Sequence, residues 1–194
     1  VKLDEKTYKT ICKERKEYDL TVSYVGVFDR DRGLENLLSS VAQSPNILLN
    51  IAGFGVLDEL VQDYTEKNKN IHCWGRVEYA VGQTIMKNSD VMAAMYHLTS
   101  PLHKFAAPNK YYESLLLGVP MITTEGTLVA SKVEEFDTGF ILDETPTALY
   151  TLLNSPDLKE KIEQKSTNCQ KTWEKVYASY YESFMREKYL PLMR

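Results

Sequence analysis

Short apolar runs rich in β-branched residues alternate along this chain with longer segments of helical period, a rhythm that few architectures accept. Each such run must return to the same sheet after a helix has been laid across its face, so the alternation predicts crossover connections and parallel strands. Strands are expected at 20–25 (LTVSYV), 46–51 (NILLNI), 71–73 (IHC), 90–95 (DVMAAM), 119–123 (VPMIT) and 139–142 (GFIL). Helices are expected near 4–17, 33–43, 57–67, 81–88, 109–117 and 128–136, and from 145 onward the chain reads as helical. In that tail Trp173, Tyr177, Tyr180, Tyr181 and Phe184 recur at helical spacing, which suits either core packing or a surface made for a neighbour. The reading is an α/β fold: a Rossmann-like, doubly wound parallel sheet of about six strands with C-terminal helices, forming a single domain over 1–194.

The 194 residues, 43% hydrophobic and 26% charged, are enough for one full core and too few for two large domains. A net charge of -4 with both signs interspersed lacks the long-range positive field that nucleic-acid binders use, so no nucleic-acid partner is expected. Cys12, Cys73 and Cys169 are odd in number and have no CxxC pair, which points to a reducing compartment and away from structural zinc. With no apolar run near the roughly 18 residues of a membrane span and no signal-peptide core, the expected location is cytoplasmic. The chain does not begin with Met, which reads as a fragment.

A six-stranded sheet of this kind most often has the order 3-2-1-4-5-6, with ligands outside the carboxyl ends of strands 1 and 4, where the winding reverses. Two loops are thereby singled out. After strand 1 comes VGVFDRDRGLENLL, with Gly26 and Gly33 bracketing Arg30 and Arg32; after strand 4 comes YHLTSPLHKFAAPNKYYE, which ends in Lys110. Lys110 falls in the first turn of its helix, where the macrodipole disfavours a cation by roughly 0.3–1 kcal/mol. A bound anion would reverse that preference, because the helix amides and the ammonium would share it; otherwise Lys110 is a solvated side chain. Glu113, three residues on, shares its helix face and suits two ribose hydroxyls or an ion pair with Lys110.

Other chemistries fit less well. IAGFG would need glycine at 58 to complete GxGxxG and has Asp58, so a NAD site is disfavoured; Gly53 and Gly55 read as a tight strand-to-helix turn, with Asp58 complementing the helix dipole. His72, His97 and His103 show no metal-ligand spacing, and there is neither a GxSxG elbow nor a GxxxxGKS/T loop. His72 reads as structural, whereas His97 and His103 lie in the ligand loop. Arg76, after strand 3, is either solvated or near the crevice, where the Gly75–Val77 backbone turn would edge a nucleobase.

YVGVFDRDRGLENLL, NILLNIAGFGVLDEL, NIHCWGRV, SDVMAAMY and PNKYYESLLLGVPMITT, in this order and spacing, resemble the C-terminal donor-nucleotide domain of the retaining GT-B glycosyltransferases of family four, over about 20 to 150. The final stretch, 170–194, resembles the helix that crosses back toward the N-terminal acceptor domain, which is missing here. The resemblance implies retaining transfer of a hexose from a UDP- or GDP-sugar, in synthesis of bacterial-type surface polysaccharide or glycan, with no cofactor and no metal. Any peripheral membrane association would come through the missing domain. It assigns diphosphate binding to Arg32 and ribose binding to Glu113; Lys110, from its place at the helix start, is read as the second catalytic cation. Gly26, Gly33, Arg76, Val77 and Asn109 complete the nucleotide site. Departures are Gly26-Val27 where the family often has Gly-Arg, Phe105 where it has a sugar-contacting Glu, and Pro108, which removes one amide from the anion-binding turn. Arg30 or Lys110 would replace the missing cation. A sugar-nucleotide epimerase of the same architecture and a noncatalytic nucleotide-binding module are the alternatives.

Overall fold

The computed structural model describes residues 4–189 and residue 191. Helix α1 (Glu5–Glu14) starts at Asp4, whose carboxylate accepts the Thr7 N–H at 2.8 Å, an N-cap that satisfies one otherwise orphaned donor. There follow β1 (Leu20–Phe28), α2 (Leu34–Ala42), β2 (Ile47–Gly55), α3 (Asp58–Lys67) and β3 (Ile71–Cys73). The second half contains α4 (Tyr79–Lys87), β4 (Val91–Ala93), α5 (Asn109–Leu117), β5 (Met121–Thr124), α6 (Leu128–Phe136) and β6 (Gly139–Leu142). The strands form a sheet in the order β3-β2-β1-β4-β5-β6, every pair parallel, as the alternation predicts.

Central strands of such a sheet are covered on both faces and so carry near-continuous apolar runs. Val22, Leu49 and Ile51 pack with Leu34, Leu37 and Val41 of α2, and on the other face Met92, Met121 and Leu115 pack with Val129 and Val133 of α6. Ile11 of α1 closes a smaller cluster with Ala52 and Ile85.

β4 keeps only Val91–Ala93 of the expected 90–95, while β1 and β2 run past their expected ends, and glycine is the reason for the latter. β1 and β2 run nine residues each, paired from Leu20↔Ile47 to Phe28↔Gly55. Gly53 and Gly55 do not form a strand-to-helix turn; they are the last rungs of β2, with φ of +153° and +159°. A Cβ on Gly53 would lie 1.8 Å from the Gly26 carbonyl oxygen, so the two backbones approach this closely only without a side chain. Asp58 does lie in the first turn of α3, and its Oδ1 accepts the Gly55 N–H at 2.8 Å, closing the end of the strand.

The tail forms α7 (Ala148–Leu153) and α8 (Leu158–Thr172), a wide π turn over Trp173–Tyr177, α9 (Tyr180–Phe184) and a second π turn over Met185–Tyr189. Leu158 and Ile162 join one core cluster and Cys169 the other, so α8 crosses the sheet margin. The aromatic stripe divides: Trp173 and Tyr177 pack on the core, while Tyr180 and Phe184 are exposed and stack on each other at 6.2 Å. The Tyr181 side chain, Leu190 and residues 192–194 of the expected crossover helix lie outside the described residues. Among the described residues no helix is long and apolar enough to cross a membrane.

Candidate functional site

The winding reverses between β1 and β4, and there the chain leaves a cavity of about 160 Å³. Its walls are Tyr24 to Val27 at the end of β1 and Ala93 to Tyr96 after β4; Arg32 and Lys110 reach in from the two following loops. Three residues singled out in the sequence, Gly26, Arg32 and Lys110, are therefore brought together. Arg30 is exposed and does not line the cavity, so Lys110 is the second cation in it.

Local chemistry places each of these groups. Beyond β1 the chain makes a tight 3-10 turn over Arg30–Arg32, begun by the Asp29 carboxylate on the Arg30 N–H at 2.7 Å and ended by Gly33 at φ +67°. A Cβ at Gly33 would approach Met95 Cβ to 3.0 Å, so glycine lets α2 start directly against the wall after β4. Arg32 holds its guanidinium 5.0 Å from the centroid of the Tyr96 ring, a cation–π arrangement, and its Nε 3.8 Å from Asp31 Oδ1. Burial pushes the Tyr96 phenol up to about 12, opposed by Arg32 and reinforced by Glu113, so it is a neutral donor at physiological pH. Tyr24 is raised further, for the same first reason, and its hydroxyl donates to the Val27 carbonyl at 2.5 Å.

Lys110 Nζ lies 2.5 Å from Glu113 Oε2, and the Glu113 side chain is only 7% exposed. Leaving a buried carboxylate unpaired costs several kcal/mol, against roughly 0.3–1 kcal/mol for a cation in a first helical turn. The ion pair therefore decides the position of Lys110. Glu113 also faces Tyr79 of α4, whose phenol is raised first by burial and then by that carboxylate, and Gln83 Nε2 donates to the Tyr79 hydroxyl at 2.8 Å. Asn109 is exposed at the start of α5, which no side chain caps, and Pro108 precedes it without an N–H to offer.

Arg76 and Val77 do not join this cavity. Arg76 is exposed, its guanidinium 4.7 Å from the Phe54 ring, beside a second cavity of about 660 Å³ that runs past Gly53 and Gly75. Val77 is half-buried and packs in the cluster that includes Val25, one of the walls of the first cavity. His72 pairs with Glu14 at 3.0 Å and stacks on Trp74 at 4.5 Å, a structural role as read from the sequence. His97 keeps its Nε2 buried with no partner among the described residues, and His103 is buried beside Asp31 and Tyr96. Phe105 is 73% exposed.

The sequence reading missed Tyr24 and Tyr96 as walls and Tyr79 as a neighbour of Glu113. The signal for the first two was present, since each lies at the carboxyl end of a strand flanking the reversal. Tyr79 becomes visible only once α4 and α5 are packed.

A doubly wound parallel sheet with a crevice at its switch point is a Rossmann-like architecture. Glycosyl transferases group 1 is the family that matches, over residues 9–168, and the chain belongs to it. A curated relative, the capsular polysaccharide biosynthesis glycosyltransferase CapM of Staphylococcus aureus, is 25% identical over 96% of this chain and 50% of its own length. Among solved structures, WaaG, a glycosyltransferase involved in lipopolysaccharide biosynthesis, aligns with a TM-score of 0.65 at 16% identity, over 90% of this chain and 48% of that one. Anabaena Alr3699/HepE in complex with UDP aligns at 0.66 and 17% identity, over 87% and 48%. Sucrose-phosphate synthase from Thermosynechococcus elongatus aligns at 0.63 and 18%, over 99% and 50%. These likenesses show the GT-B type of fold, and the chain spans about half the length of the curated relative it matches.

Proposed function

We propose that this chain is the donor-nucleotide half of a glycosyltransferase that moves a hexose from a UDP- or GDP-sugar with retention, in assembly of a surface polysaccharide or related glycan. The observation that carries this reading is the convergence of Arg32 and Lys110 on one cavity, with the buried Glu113 held by Lys110. The membership in glycosyl transferases group 1 and the UDP complexes of HepE support a nucleoside diphosphate as the ligand class.

The ion pair gives binding a definite exchange. When a diphosphate draws Lys110 toward its oxygens, Glu113 loses its counter-ion inside a buried site, and two ribose hydroxyls donate to the carboxylate in its place. Phosphate and ribose recognition are thereby coupled. Arg32 and Lys110, with the amide groups of Asn109 and Lys110, then face the leaving diphosphate, where fixed positive charge lowers the energy of the developing anion. Gly26 and Gly33 keep backbone close to that group, and the base would have to reach beyond the cavity, past Val25, to be edged by Arg76 and Val77, which do not line it. The acceptor would be held by a second, N-terminal domain, which also carries any contact with a membrane.

Calorimetry with UDP, GDP and NAD tests the reading. A nucleoside diphosphate should bind well ahead of NAD, because the first turn of α3 has Asp58 where a dinucleotide fingerprint has glycine. Tighter binding of NAD than of both diphosphates would remove the site assignment.

A further inference from the structure

Glu113 is reached from a second helix as well as by Lys110. Tyr79 opens α4, two residues after Val77, and α4 lies close against the cavity wall because Gly82 has no side chain: a Cβ there would meet Val25 at 3.1 Å. One turn on, the buried Gln83 donates from Nε2 to the Tyr79 hydroxyl at 2.8 Å. The hydroxyl oxygen accepts there, so its own proton is free for the Glu113 carboxylate, which can only accept. The phenol keeps that proton, because burial and then Glu113 raise it above its ordinary value. Yet the residue as a whole is 68% exposed. Two buried groups tie the hydroxyl end of a side chain whose ring faces solvent, and a ring held at its far end keeps one orientation.

We infer that the exposed Tyr79 ring is the surface on which the nucleobase of the donor stacks, its hydroxyl end marking the ribose position at Glu113. The inference rests on the proposed ribose role of Glu113. The two hydroxyls that would donate to that carboxylate are those of C2′ and C3′, and the base is carried by the adjoining C1′. Lys110, on the helix of Glu113, leads into the cavity; Tyr79, on the neighbouring helix, does not line it and belongs to the stretch that carries Arg76 and Val77. Neither of those two presents a free planar face, since Arg76 has its guanidinium over Phe54 and Val77 is packed in a core cluster. Every base has a π-face, and a ring already fixed in orientation takes it up without the cost of ordering a loose side chain. Tyr79 supplies the face, and the Val77 backbone the edge.

The test uses the full chain with UDP, GDP and, as a base-free control, inorganic pyrophosphate. Loss of a stacking ring weakens binding by about five- to a hundredfold, so Tyr79→Ala should weaken whichever nucleotide binds within that range and leave pyrophosphate unchanged. Tyr79→Phe, which keeps the ring and drops the hydroxyl, should retain most of the preference for nucleotide over pyrophosphate. Proton NMR adds a signature that a merely structural side chain would not give. The base protons of the bound nucleotide should move upfield in the ring current of the wild type and of Tyr79→Phe, and that displacement should vanish in Tyr79→Ala. An equal loss for pyrophosphate in Tyr79→Ala, or the loss and the vanished displacement in Phe54→Ala in its place, would overturn the inference. A wild-type chain that binds neither UDP nor GDP removes the nucleotide reading itself and this inference with it. If the wild type binds and Tyr79→Ala matches it in affinity and in displacement, only the role of Tyr79 falls.

Discussion

Lys110 is held by the carboxylate it neutralises, which makes its removal a test of stability as well as of binding. Lys110→Met leaves Glu113 buried and unpaired, and with Lys110 itself 23% exposed the cost should be roughly 1–3 kcal/mol in urea unfolding. Glu113→Gln in the same background should recover part of it, since a neutral amide does not need a counter-ion. The ligand series divides these residues in another way. Arg32→Ala and Lys110→Ala should each weaken a diphosphate about ten- to a hundredfold and erase most of its advantage over the monophosphate, while discrimination between ribose and deoxyribose persists. Glu113→Ala should do the reverse, and an unaltered ribose preference in that variant would reduce Glu113 to a salt-bridge partner. Residues 110 and 113 were legible as a pair because their spacing is a property of any helix. Asp31 and His103 were not, because only the fold sets two loops from different strands side by side.

At the scale of elements, the close approach of β1 and β2 makes Gly53 the position least open to change. Gly53→Ala forces a methyl group onto the Gly26 carbonyl, so the ends of the two strands must separate; the expected loss is about 3 kcal/mol, the upper part of the range for overpacking. Equilibrium denaturation measures it, and Gly75→Ala is the comparison, since nothing lies within 4 Å of the added methyl and only its φ of +64° opposes the change. The order of elements was legible in the alternation of periods, and the carboxyl ends of β1 and β2 were not. IAGFG carries two glycines before an acidic helix start, which reads locally as a turn. Whether glycine bends a strand or lets two strands touch is decided by the neighbouring backbone.

For the whole molecule, the proposal that the acceptor is bound elsewhere has a direct consequence: these 194 residues should bind UDP or GDP and transfer no sugar. Incubation with labelled UDP- and GDP-glucose and analysis for new glycosidic bonds checks this, and robust transfer by the chain alone would contradict it. Strand order and the place of the cavity followed from topology, because the reversal point depends only on which strands are neighbours. The aromatic tail resisted such reading, since helical spacing aligns residues on a face without saying what covers it. The paired ends of β1 and β2 also give the cavity walls of unequal stiffness. Tyr24 to Val27 belong to a nine-rung ladder, whereas the segment that joins the Tyr96 wall to Lys110 has one short 3-10 turn and exposes Leu102 and Phe105. Amides on the ladder side should exchange with deuterium slowly, and those from 98 to 106 early, by local opening that leaves the sheet intact. A ligand seated here would then leave by the soft side, so its residence time should follow the opening of that segment, however firmly the strands beneath are joined.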